Sequence, residues 1–146
     1  MDSSAVMKLV TLERESPALQ RFFAGSNPWT APITMVSSRL AYVEVLRASR
    51  RLGAKAIRGA HQVLSALSLI EFTRETSKQA ADIQPADLRS LDSLHVATAL
   101  SLGQAIQGLI AYDIRLGDAA QANGIRVFSP TPGLLADEGE EPRPSP

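Results

Sequence analysis

The chain has 146 residues, 45% of them hydrophobic, which suits one domain with its own core. It has no cysteine, which excludes a disulfide framework and a thiolate metal site, and no run of the roughly 20 apolar residues that a membrane helix needs. The formal charge is zero, yet residues 137–146 (DEGEEPRPSP) hold four acids and one arginine, so the rest carries 14 basic against 11 acidic residues.

Elements alternate along the chain. "SPALQRFFAG" (16–25) reads as a helix, with Ser16 as N-cap, Pro17 at the first helical position and Gly25 as its stop. "APITMVSS" (31–38) is a β-branched apolar run and reads as a strand. Two helices follow at 38–53 and 54–67, divided by Gly53. "LSLIEFT" (67–73) is a second strand, followed by a helix at 73–83 and another at 90–103. "GLIAYD" (108–113) is a third strand, then a helix at 113–124, then "IRVFSP" (125–130), a strand closed by proline. Strands alternating with helices imply crossovers, and so an α/β fold: a central, mainly parallel sheet with helices on both faces. The 135–146 tail is too polar and proline-rich to bury surface and is expected to be disordered, leaving one domain over 1–134.

Four acids stand at informative places. Asp2 precedes "SSAVMKLV", a pattern that marks a strand-to-helix turn. Glu44 lies mid-helix, Asp92 opens a helix that is apolar nearly all round, and Asp113 ends a strand. Ligands of parallel α/β sheets bind at such strand ends. Each acid has a plain alternative. Asp92 reads equally as an N-cap, Glu44 as the partner of Arg47 at i+3, Asp113 as a turn acid and Asp2 as a loose terminal residue.

Taken together, "MDSSAVMKLV", "SSRLAYVEVLRA", "LRSLDSLHVATAL" and "AYDIRLGDAAQANGI" occur in an order that resembles the PIN-domain ribonucleases, in particular the VapC-type toxins of toxin–antitoxin pairs. The resemblance implies that Asp2, Glu44, Asp92 and Asp113 are catalytic, metal-binding acids, with Ser4 as the hydroxyl beside the first. It implies a metal-dependent endoribonuclease that hydrolyses RNA phosphodiester bonds. It also implies a cognate antitoxin lying across the site, a homodimer and a cytoplasmic location. Converging carboxylates repel unless a cation neutralises them, and oxygen ligands suit one or two Mg²⁺ or Mn²⁺ ions.

One feature departs from that pattern: only Met1 precedes the first aspartate, so the first strand is nearly missing as written. An upstream translation start is the expectation that keeps Asp2 a ligand. The shortened strand also favours the alternative reading, a catalytically inactive PIN-fold binding or regulatory module. A phosphate-accepting receiver domain is disfavoured, because "IRVFSP" supplies no lysine at the last strand end.

Several further residues are candidates. Arg39, Arg47, Arg50, Arg51, Lys55 and Arg58 share a segment with a single acid, Glu44. At about 100° per residue, Ala41, Val45, Ala48 and Leu52 make the buried stripe, and Arg47 and Arg51 face away from it, as RNA-phosphate contacts or a solvated face. Arg89 and Arg115 flank Asp92 and Asp113 as candidate RNA contacts or surface residues. His95, three residues after Asp92, reads as a packed neighbour of the acids more readily than as a ligand. Asp118 is an accessory acid or a helix-surface residue, and His61 reads as structural. Phe22 and Phe23 read as packing residues, and Trp29 as a core anchor or a base-stacking platform.

Overall fold

The computed structural model describes residues 1–25 and 33–133. Trp29, the start of the 31–38 segment and the acidic tail fall outside the described residues. The order of elements is α1 (Ser3–Val10), α2 (Ser16–Phe23), β1 (Val36–Ser38), α3 (Arg39–Leu52), α4 (Ala54–Ser65) and β2 (Ser68–Ile70). Then come α5 (Arg74–Asp82), α6 (Ser90–Ser101), a 3-10 turn (Gly103–Ala105), β3 (Leu109–Ile110), α7 (Ile114–Ala122) and β4 (Val127–Phe128). Each expected helix is present within a few residues. The strands are shorter than the apolar runs that announce them, and residues 33–35 are not strand.

Both strand pairings are parallel, β1 with β2 and β3 with β4, in two separate pairs. The first two residues bridge them. The Met1 nitrogen donates to the Val36 carbonyl at 2.7 Å, and the Asp2 N–H donates to the Ile110 carbonyl at 3.0 Å. Ser37 Oγ returns a bond to the Met1 carbonyl at 2.6 Å. The first two residues thus lie between the two strand pairs and are bonded to both.

Helices cover both faces of β3. Leu109 and Ala111 enter one core cluster with Val96 and Ala97 of α6 and Leu116 of α7. Ile110 enters another with Ala5 of α1 and Leu19 and Phe22 of α2. That alternation is the two-residue period of a strand, and it makes β3 the divide between two cores. Phe22 packs on Phe23 and Phe128, with ring centroids 5.9 and 5.6 Å apart, so the packing role expected of the two phenylalanines holds. Each fully buried side chain of this kind contributes about 1.5–3 kcal/mol. A third cluster joins Val6 of α1, Val45 of α3, Ala60 and Leu64 of α4 and Leu67.

The buried row of α3 corrects the expected stripe. It runs Ala41, Val45, Ser49 at strict i, i+4, i+8 spacing, while Leu52 is 59% exposed. The small Ser49 allows close approach to α1, where its hydroxyl lies 3.9 Å from the Met7 sulfur. Gly53 both ends α3 and starts α4 with φ of 94°, a left-handed conformation that side-chain-bearing residues rarely adopt. His61 is exposed on α4 rather than packed as a structural residue. No helix among the described residues is long and apolar enough to cross a membrane.

Candidate active site

Four elements deliver the four acids. Asp2 is the N-cap of α1: it is 3% exposed, and its Oδ1 accepts the Ala5 N–H at 2.9 Å. Ser4 Oγ donates to the two Asp2 oxygens at 2.9 and 2.7 Å and accepts the Tyr112 N–H at 3.0 Å. The serine therefore ties Asp2 to the residue before Asp113. Asp113 caps α7, with its Oδ1 accepting the Leu116 N–H at 3.2 Å. Two of the acids thus have an oxygen engaged by a helix terminus, whose partial positive charge suits an anion. Asp2 is not a loose terminal residue.

Asp92 is not the N-cap of its helix. Arg89 holds that position, and Asp92 stands in the first turn of α6 with no cap of its own. Its carboxyl is pushed above the usual range by burial first, then by the charge of Asp113, with Glu44 adding to the same effect; Arg89 and His95 oppose it. The two acids that act on Asp92 belong to other elements, Asp113 at the start of α7 and Glu44 on α3.

Glu44 is held differently. Its Oε2 accepts from His95 Nε2 at 2.8 Å and from the Ser3 hydroxyl. Burial pushes this carboxyl up, but the bonds from His95 and Ser3 outweigh it and the net shift is downward. The expected ion pair between Glu44 and Arg47 is replaced by this histidine contact. The other His95 nitrogen, Nδ1, lies 2.9 Å from Ser38 Oγ at the end of β1.

Ser3 and Ser38 were not singled out by sequence reasoning. Ser3 had a local signal, a second hydroxyl in the same helical turn as Ser4. Ser38 had none, since its contact spans 57 positions. Lys8 was missed as well. Its Nζ lies 2.8 Å from both Glu13 and Glu15, and 4.7 Å above the Tyr112 ring, clamping α1 to the chain just before Asp113. Burial, with the nearby charges of Glu15 and Asp2, pushes the Tyr112 phenol up to about 12, so it stays protonated and donates to the Pro130 carbonyl at 2.8 Å.

Arg47, Arg51 and Arg89 are exposed. Arg115 lies 4.0 Å from Asp87, both of them exposed, and does not engage the acids by an ion pair. Arg39 is drawn from the basic run into an ion pair with Glu71. Asp118 is on the exposed side of α7. Among the described residues, no three acids or histidines are drawn close enough to hold one ion between them. The donor chemistry nonetheless suits a hard divalent cation. The residues there are carboxylates and hydroxyls, oxygen donors of the kind such an ion takes, and burial followed by the charge of Asp113 raises the Asp92 carboxyl.

The parallel α/β fold defines a class, and the PIN domain family model matches residues 1–122. The chain belongs to the PIN domain family. It is similar to Ribonuclease VapC46 of Mycobacterium tuberculosis (strain ATCC 25618 / H37Rv), with 37% identity over 131 residues, 90% of this chain and 96% of the relative. It is also similar to Ribonuclease VapC35 of Mycobacterium tuberculosis (strain CDC 1551 / Oshkosh), 32% identical over 132 residues, 89% of this chain and 95% of the relative. Ribonuclease VapC47 of the same strain is 30% identical over 131 residues, 89% and 95% of the two chains.

Proposed function

We propose that this protein is an endoribonuclease of the VapC type, hydrolysing RNA phosphodiester bonds as the toxin of a toxin–antitoxin pair. The observation that carries the reading is the match to the PIN domain over residues 1–122. Similarity to named ribonucleases over nine-tenths of the chain supports the same reading.

Asp2, Glu44, Asp92 and Asp113 would hold one or two Mg²⁺ or Mn²⁺ ions. Such an ion, when bound, supplies the positive charge that activates water and offsets charge on the scissile phosphate. The chain's own contribution is placement. Ser4 and the α1 and α7 termini fix Asp2 and Asp113, Ser3 and His95 fix Glu44, and α6 carries Asp92 in its first turn. Arg47 and Arg51 on α3, Arg89 at the start of α6 and Arg115 on α7 supply exposed positive charge for RNA phosphates. A cognate antitoxin, a homodimer and a cytoplasmic location complete the proposal.

A catalytically silent PIN module is the second reading. It is favoured by the absence, among the described residues, of three ligands already at ion-holding distance. RNA cleavage assayed with Mg²⁺, with Mn²⁺ and with chelator, beside an Asp92→Asn variant, separates the two. Cleavage that requires the ion and drops at least about 100-fold in the variant is expected. Equal cleavage by both chains would point to another site, and none by either would favour the module. Sequencing the RNA fragments after brief expression identifies the target.

A further inference from the structure

His95 is a buried polar side chain bonded to one of the acids. It is 5% exposed on a helix whose other buried residues are mostly small or apolar. Both ring nitrogens have partners on different elements: Nε2 faces Glu44 of α3 at 2.8 Å, and Nδ1 faces Ser38 of β1 at 2.9 Å. Ser3 Oγ of α1, which itself donates to Glu44, lies 3.3 Å from Nε2. A carboxylate oxygen accepts only, so the proton on this edge of the ring is on Nε2 and points at Glu44. Ser38 then completes the Nδ1 edge.

We propose that His95 is a positioning residue for the reaction. It aims the Glu44 carboxylate at the acid group and, through Ser38, locks that aim to the end of β1. It is not itself a ligand, because both its nitrogens are occupied. Four elements, α1, β1, α3 and α6, meet in the arrangement. Removing the histidine leaves Glu44 on a long, rotatable side chain with only Ser3 to hold it. The inference rests on the ribonuclease reading of Glu44 above.

The test uses two near-isosteres in the full chain. His95→Gln offers an amide N–H where Nε2 stands, and His95→Asn offers one where Nδ1 stands. The Gln variant should keep Mn²⁺ affinity and the cleavage rate constant within about 3-fold. The Asn variant should lose about 10–100-fold in both, the range for residues that orient metal ligands. The loss should fall on kcat, with KM for RNA unchanged, since the basic rim is untouched. Nitrogen-15 NMR of the wild-type imidazole, which requires no variant to fold, should show the proton on Nε2. Equal losses in the Gln and Asn variants, or a wild-type ring protonated only on Nδ1, would overturn the proposal. A wild-type chain that neither binds Mn²⁺ nor cleaves RNA would instead overturn the ribonuclease reading, a result distinct from equal behaviour of the two variants in a cleaving background.

Discussion

The two sides of the acid group are held by opposite means. On the α3 side, Glu44 is gripped by hydrogen bonds from Ser3 and His95, and its carboxyl lies below the ordinary range although burial pushes the other way. On the α6 side, Asp92 meets burial and the charge of Asp113, and its carboxyl lies above that range. Both acids are partly buried, so burial alone does not set the outcome. A donor within bonding distance stabilises the ionised form, and a like charge destabilises it. The gripped side is held by donors of the chain itself, whereas on the strained side burial and like charge both work against the ionised form.

The largest test of this contrast is the divalent cation itself. Saturating Mg²⁺ or Mn²⁺ should raise stability by about 2.7 kcal/mol at 100 times its dissociation constant, read as an upward shift of the thermal midpoint. Most of that shift should vanish in Asp92→Asn. A full shift retained in that variant would mean that the strained side is not where the ion acts.

Next in size is the gripped side. Ser3→Ala removes one donor to an ionised carboxylate and should cost about 1.5–3 kcal/mol in urea unfolding, less to the extent that water replaces the hydroxyl. The Glu44 carboxyl should then titrate at higher pH by carbon-13 NMR. No movement would show that His95 alone holds it.

The two sides should also respond oppositely to acid. The contribution of Asp92, whose value is raised on folding, is fully present below the ordinary aspartate range and is lost as pH rises through its folded value. The contribution of Glu44, whose value is lowered, is present above the ordinary glutamate range and is lost as pH falls through its folded value. Unfolding of the ion-free chain between about pH 3 and 7 should show Asp92→Asn gaining on the wild type toward neutral pH and Glu44→Gln losing ground there. Parallel curves would erase the distinction.

The smallest effect belongs to Asp118. It is exposed on α7, and its replacement by Ala should change stability by less than about 0.5 kcal/mol and leave cleavage unchanged. A substantial loss of cleavage would enlarge the acid group beyond the four.

Much of the architecture was legible beforehand. Apolar periodicity, Pro17 at a helix start and Gly53 at a helix junction are local signals, and the helices lie where these place them. Strand lengths were less legible. β3 is two residues long within an apolar run of five, because an apolar run reports burial and not ladder bonding.

The sequence by itself determined the alternating α/β order and the parallel pairing, because these depend on periodicity and on residues a few places apart, while the choice of the four acids rested on the family resemblance. Only the tertiary structure decided how each acid is held. Ser3 reaches Glu44 across 41 positions, His95 reaches it across 51, and Ser4 meets Tyr112 across 108. A hydrogen bond depends on a few ångströms and a direction, and neither exists until the elements have packed.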